Sequence, residues 1–97
     1  MLDSLHYDDF APHVHETLRV RAGASEFEAE LFAVADKSPG PKQEMFVVTL
    51  RAPLTVPPEQ GLYHLEHATL GAGELFLVPI HRDANGLYLE AVFNRAR

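Results

Sequence analysis

Short runs in which apolar and polar residues alternate make up most of the chain after residue 16. Thr17–Ala22 alternates leucine and valine with polar residues, and Glu26–Leu31 alternates three glutamates with apolar residues. A period of two is typical of a strand with one buried face. A helix over 26–31 would scatter the glutamates around its surface, so a strand is predicted although Glu and Ala favour helices. After Leu31 the alternation is lost, which predicts a β-bulge or burial on both faces.

Further β-type runs follow in the second half of the chain. Met45–Ala52 is rich in β-branched and aromatic residues, and Gly61–His67 alternates inward apolar with outward polar positions. Glu74–Ile80 is the most apolar run and is predicted as a strand buried on both sides. Asp83–Gly86 is the strongest hairpin signal, because Asn and Gly tolerate positive φ. It predicts pairing of 74–81 with Leu87–Asn94, in which every second residue is apolar.

Turn and loop residues separate these runs. Gly23–Ser25 and Ala68–Gly73 are predicted turns, whereas Lys37–Glu44 and Pro53–Gly61 hold prolines that exclude a central strand. Ser4–Val14 is the one candidate for a helix; Ser4 or Asp8 would cap it, Pro12 would limit it to a turn or two, and Phe10 would plug one end of the sheet.

We therefore predict a mainly β fold. It is a small antiparallel barrel or sandwich of about six strands with a short N-terminal helix. Residues 1–97 form a single domain, with a helical plug over 1–14 and an antiparallel β core over 17–94.

Composition narrows the environment of the chain. It has no cysteine, which excludes disulfides and thiolate metal sites and fits the cytoplasm. No apolar run reaches the length of a membrane span, and the acidic N-terminus is unlike a signal peptide. Residues 1–36 carry eight acids and two arginines, a difference equal to the whole net charge of −6. An acidic surface repels phosphate backbones, so we expect neither nucleic acid nor membrane as a partner.

Histidines are the main candidates for chemistry, and the chain has six. His13-x-His15 would place two rings on one face if extended, and His64, Glu66 and His67 form a second group, which we take as the candidate binding residues. The spacing matches no established zinc pattern, so no metal ligand and no cofactor are predicted. An acid–base pair of Glu66 and His67 would need a turn between them, because neighbours on a strand face opposite ways. The alternative is a part-buried His67 whose ring bonds the backbone of the following turn.

One longer pattern resembles a family of small bacterial proteins with a domain of unknown function. It runs Leu65-Glu66-His67-x-x-Leu70-Gly71-x-x-x-Leu75-Phe76-Leu77-Val78-Pro79-Ile80, followed by Glu90-Ala91-Val92-Phe93-Asn94. Asp9-Phe10-Ala11-Pro12-His13 and Leu18-Arg19-Val20 match as well, so the resemblance covers nearly the whole chain. A glycine is common in that family at the position of His15. The resemblance implies a genomic neighbourhood of phage-tail-collar-like proteins and no catalytic residues.

We therefore expect a non-enzymatic structural or protein-interaction module, accessory to a phage-tail-like or fibre assembly. It would dock to a protein partner or self-associate. A small-ligand or metal-binding β-barrel that uses surface histidines is the alternative, and catalytic residues are expected to be absent.

Overall fold

The alternating runs form six antiparallel strands that close into a barrel in the order β1-β2-β3-β6-β5-β4. The computed structural model describes residues 1–97. The strands are β1 (Thr17–Ala22), β2 (Ser25–Asp36), β3 (Gln43–Ala52), β4 (Gly61–His67), β5 (Gly71–Asp83) and β6 (Gly86–Ala96). The prediction of a mainly β, six-stranded antiparallel structure is thus confirmed, and the ring closes as a barrel.

A short helical segment precedes the barrel. It consists of a 3₁₀ turn (Leu2–Ser4), the helix α1 (Tyr7–Phe10) and a second 3₁₀ turn (Ala11–His13). The N-cap of α1 is His6, so the prediction of Ser4 or Asp8 was wrong. The reason is that the Asp9 carboxylate accepts the backbone N–H of His6 at 2.9 Å, which fixes the first turn there. None of the helical segments has the length and hydrophobicity that a membrane-spanning helix requires.

The inner faces of the strands meet in one core of 19 buried apolar residues. Phe46 and Phe93 stack with centroids 4.5 Å apart, and Phe10 packs against them from the helix at 5.9 and 5.4 Å. Phe10 is 1% exposed and belongs to this core. Burial of a ring this large contributes a sizeable share of the stability of a small domain.

The loss of alternation after Leu31 marks a real bulge. The register between β2 and β3 shifts between Leu31 and Ala33. Just before β1, His15 has φ +78°, in the left-handed region that favours glycine. Its backbone N–H donates to the carbonyl of Leu31 at 2.7 Å, so the strained residue ties the helical segment to the bulge.

Strand β5 differs from its prediction in three respects. It begins at Gly71, so the turn is shorter than predicted, and it is not buried on both sides, because its outer residues are exposed. It pairs with β6 only from Val78 to Asp83, against Glu90 to Gly86, and not over 74–81. The N-terminal half of β5 pairs instead with β4 on one edge.

Gly73 in β5 allows the N-terminal turn to pack closely against the strand. A Cβ at this position would lie 2.9 Å from the backbone nitrogen of Leu2.

Candidate functional site

Each of the six histidines has a ring nitrogen within 3.6 Å of a carboxylate oxygen. The pairs are His6–Glu44, His13–Glu16, His15–Glu30, His64–Glu66, His67–Glu16 and His81–Asp83. Glu44 and Glu30 each also pair with an arginine, Arg95 and Arg51 respectively. Glu16 differs from the other carboxylates, because it brings two histidines together.

The cluster of His13, Glu16 and His67 joins the helical segment to the end of β4. His13 Nδ1 and His67 Nε2 each lie 2.8 Å from Oε1 of Glu16. The two rings meet edge to face, with centroids 4.9 Å apart. The hydrogen bonds from His13 and then His67 hold the pKa of Glu16 below its ordinary value, so the group accepts as a carboxylate. The ligand atoms lie within 4.8 Å of one another, which is close enough to consider a metal.

The hydrogen bonds of His67 argue against a metal. Its Nδ1 accepts the backbone N–H groups of Thr69 and Leu70, both at 3.0 Å. An Nδ1 that accepts carries no proton, so in the neutral ring the proton is on Nε2, which donates to Glu16. A metal ion needs a bare nitrogen lone pair, and His67 has none to offer while the turn is intact. The cluster is therefore built as a hydrogen-bonded latch, and the predicted bond from the His67 ring to the following turn is confirmed.

The structure separates the residues predicted as a binding group. His64 and Glu66 lie on the outer face of β4, with His64 Nε2 3.3 Å from Glu66 Oε2. The His67 side chain points inward and is only 3% exposed. It contacts Glu16 and not Glu66, so no acid–base pair of Glu66 and His67 exists. Likewise His13 and His15 bind different glutamates.

Sequence reasoning missed Glu16. Its signal was the spacing His13-x-x-Glu16 just before a strand, which places the two side chains within reach in a turn. The distant partner, His67, has no local signal. None of the concavities on the surface is lined by His13, Glu16 or His67.

A second feature lies on the outside of the barrel, where strands usually present polar side chains. Leu62, Phe76 and Val92 are 61%, 54% and 54% exposed. Leu62 pairs with Phe76 across β4 and β5, and Val92 pairs with the partly buried Val47 across β6 and β3. These four residues form the apolar stripe, which runs over four neighbouring strands. Exposed apolar surface of this kind marks interaction sites in soluble proteins.

A cleft divides the apolar stripe in the middle. The ladder between β5 and β6 ends at the pair of Val78 and Glu90, although β5 extends back to Gly71 and β6 on to Ala96. Each strand therefore has an edge without a strand partner over this stretch. We call the opening the β5–β6 cleft; its rim is formed by Asp3, Glu74, Phe76, Val92, Asn94 and Arg95, and core residues form its floor.

The rim of the β5–β6 cleft carries two exposed carboxylates. Asp3 and Glu74 are exposed at its rim. The one rim cation, Arg95, donates to the carbonyls of Ser4 and Leu5 at 2.9 and 2.7 Å, and its Nε lies 3.8 Å from the buried carboxylate of Glu44, which offsets its charge. A ligand entering the cleft therefore meets free carboxylates and an engaged guanidinium.

Comparison with known proteins gives one match. The family model described as "Domain of unknown function (DUF6916)" matches residues 5–93. No curated protein and no solved structure matches the chain.

Proposed function

We propose that the chain, which belongs to the DUF6916 family, is a non-enzymatic protein-interaction module that holds an extended segment of a partner protein in the β5–β6 cleft. The observation that carries this proposal is the position of Phe76 and Val92. These large apolar side chains are half exposed on either side of two strand edges that have no strand partner.

Edges without a strand partner favour an extended occupant beyond the point where the N-terminal turn packs against β5 at Gly73. An exposed strand edge offers a row of N–H and C=O groups, and a peptide that adds as a strand satisfies them. Side chains of such a strand alternate, so every second residue would contact the apolar stripe while the others face solvent. Backbone hydrogen bonds would supply affinity, and Phe76 and Val92 would supply selectivity for apolar residues.

Charge favours a different protein over a second copy. Two copies of this chain each carry a net charge of −6 and would bring Asp3 and Glu74 together at the stripe. Like charges across an interface disfavour association, whereas a segment with basic residues on either side of an apolar stretch complements the rim. A component of a fibre-like or phage-tail-like assembly is the partner that the resemblance in the sequence suggests.

The non-enzymatic part of the proposal is supported by the histidine cluster. His13, Glu16 and His67 lie outside every concavity, and His67 is held by the turn. A reacting group would have no pocket in which to meet them.

The proposal is tested with a synthetic peptide in which valine and threonine alternate and lysines stand at both ends. Fluorescence anisotropy of the labelled peptide measures binding, and amide chemical shifts map it. We expect saturable binding with shifts confined to 72–76, 91–95 and the apolar stripe. Two further peptides carry N-methyl groups on the odd or on the even residues, so each lacks the N–H donors along one of its own edges. One of these two peptides should not bind.

The variant with Phe76→Ser and Val92→Ser should lose binding by about tenfold or more, because it removes both apolar contacts. Leu54→Ser is the matched control, since Leu54 is also an exposed apolar residue but lies outside the stripe. Peptide binding that survives the double substitution would contradict the proposal. So would dimers in light scattering that dissociate in the double variant, because a second copy would then be the occupant.

A further inference from the structure

A group of aromatic side chains lies on the outside of the barrel, away from the β5–β6 cleft. Phe32 and Tyr88 meet edge to face with centroids 5.0 Å apart, and the His81 ring packs against Tyr88 at 5.5 Å. Together with the half-exposed Ile80 they line a concavity, which we call the aromatic pocket. It shares no lining residue with the β5–β6 cleft.

Irregularities in two strands create this pocket. Phe32 sits in the bulge of β2, and the register of β5 against β6 shifts between Pro79 and His81. A bulge re-aims side chains that regular pleating would place elsewhere. Tyr88 lies between the core residues Leu87 and Leu89 and faces outward, where its neighbours cover it almost fully.

A carboxylate stands at the edge of the aromatic pocket. Asp83 accepts the Tyr88 hydroxyl at 3.2 Å and the backbone N–H of Asn85 at 2.8 Å. The Asn85 N–H is the main reason that the pKa of Asp83 lies below its ordinary value. These bonds fix the carboxylate in place, and a carboxylate has further lone pairs with which to accept from a ligand.

A cation already uses one of these rings. The guanidinium carbon of Arg51 lies 5.4 Å from the centroid of Phe32, in the geometry of a cation–π contact. Arg51 also pairs with Glu30, and it is not among the residues that line the pocket. The charge of Arg51 is therefore balanced within the chain and does not close the pocket to a second cation.

We propose that the aromatic pocket binds an alkylammonium group, of the kind carried by a lysine or methylated lysine side chain or by a free quaternary amine. Aromatic faces attract a cation through their quadrupole, and the fixed carboxylate of Asp83 complements its charge. An anion would be repelled by Asp83 and by the net charge of −6. A neutral apolar ligand would use the rings but would gain nothing from the charge of Asp83.

The experiment titrates choline into isotope-labelled protein at constant ionic strength and follows side-chain chemical shifts by NMR. The matched probe is 3,3-dimethyl-1-butanol, which has the shape of choline without the charge. We expect saturable shifts at Phe32, Tyr88 and Thr49 with choline, and binding of the neutral probe weaker by about threefold or more. Titration with Nα-acetyl-lysine amide and Nα-acetyl-trimethyllysine amide then shows whether the pocket prefers a side chain of this kind to choline, a free quaternary amine.

Two variants test the roles of the ring and the carboxylate. Phe32→Leu, at a position that is about one-third exposed, and Asp83→Asn should each weaken choline binding, while Leu54→Ala, at an exposed apolar residue outside the pocket and the cleft, should leave it unchanged. Equal binding of choline and the neutral probe would overturn the proposal. Shifts that do not saturate, or that persist in both variants of the pocket, would overturn it as well. None of these results depends on the peptide binding proposed for the cleft.

Discussion

The Nε2 atom of His67 lies 2.8 Å from Oε1 of Glu16, and 51 positions of sequence separate the two residues. This contact lies beside the β1–β4 ladder that closes the barrel, where β4 ends and the helical segment meets β1. The other ring nitrogen of His67 accepts two backbone N–H groups. One side chain therefore joins a local turn to a distant segment.

His67→Ala should lower the free energy of unfolding by about 1–3 kcal/mol, because it empties a buried position and removes the acceptor of two part-buried N–H groups of the turn. His67→Asn should lose less, since an amide oxygen at a similar position can accept from the turn. Urea denaturation measures both. His64→Ala, on the outer face of the same strand, is the control and should lie within about 0.5 kcal/mol of the native chain. Equal decreases in the free energy of unfolding for His67→Ala and His64→Ala would contradict a stabilising role for the hydrogen bonds of His67.

Zinc should not raise the midpoint of thermal unfolding of the native chain. The reason is the proton that His67 Nε2 must carry while its Nδ1 accepts from Thr69 and Leu70. Long-range ¹⁵N correlation NMR reports this tautomer directly, and scanning fluorimetry with zinc and with magnesium measures the shift. A midpoint that rises with zinc but not with magnesium, and no longer rises in His67→Ala, would show that the cluster of His13, Glu16 and His67 binds zinc.

Stability should fall as the pH drops below about 4.5. The pKa values of Glu16 and Glu44 are lowered in the fold, chiefly by hydrogen bonds from His13 and from His6 respectively. A carboxyl with a lowered pKa stabilises the folded state above its unfolded pKa of about 4.3, and this contribution is lost as the pH falls through the folded pKa. Denaturation curves from pH 7 to pH 3 measure how steeply the free energy of unfolding falls with pH. Glu16→Gln should make this fall less steep. Glu28→Gln, which removes no ion pair, should leave it unchanged.

Alternation predicts β1, β2, β4 and β6, because burial of one face leaves a mark at every second position, and residue type predicts β3 and β5. The continuous apolar run Glu74–Ile80 predicts burial on both faces, and this prediction is wrong. Nothing local distinguishes a residue covered by the protein from one left for a partner. Phe76 is half exposed, and this error coincides with the proposed binding surface. Glu16 and His67 could not be paired in advance, because their contact depends on how the barrel closes.

Gly73→Ala should destabilise the fold by about 1–3 kcal/mol, because the new methyl group would lie 2.9 Å from the backbone nitrogen of Leu2. Gly40→Ala is the matched control, since its Cβ would meet no atom within 4 Å. In a chain that lacks residues 1–4 the substitution at Gly73 should cost almost nothing. A penalty that remains in the shortened chain would assign the role of Gly73 to strand geometry and not to the N-terminal turn.

His15→Gly should stabilise the fold by about 0.5 kcal/mol. At φ +78° a histidine is strained by roughly 1 kcal/mol, and glycine adopts this conformation freely. The gain is reduced by the loss of the exposed bond from His15 Nδ1 to Glu30 Oε2, because exposed ion pairs contribute only about 0.2–1 kcal/mol. His15→Ala loses that bond and keeps the strain, so it should be the least stable of the three.

The measurement is urea denaturation of all three chains, with His64→Gly as the control. The extended backbone of β4 needs no positive φ, so the conformational freedom of glycine brings no advantage there, and His64→Gly should destabilise the fold by about 0.5–1 kcal/mol. Opposite signs for the two glycine variants would show that backbone strain at His15 decides the outcome. A His15→Gly chain less stable than the native one would show instead that the bond to Glu30 outweighs the strain, and that histidine at this position is stabilising.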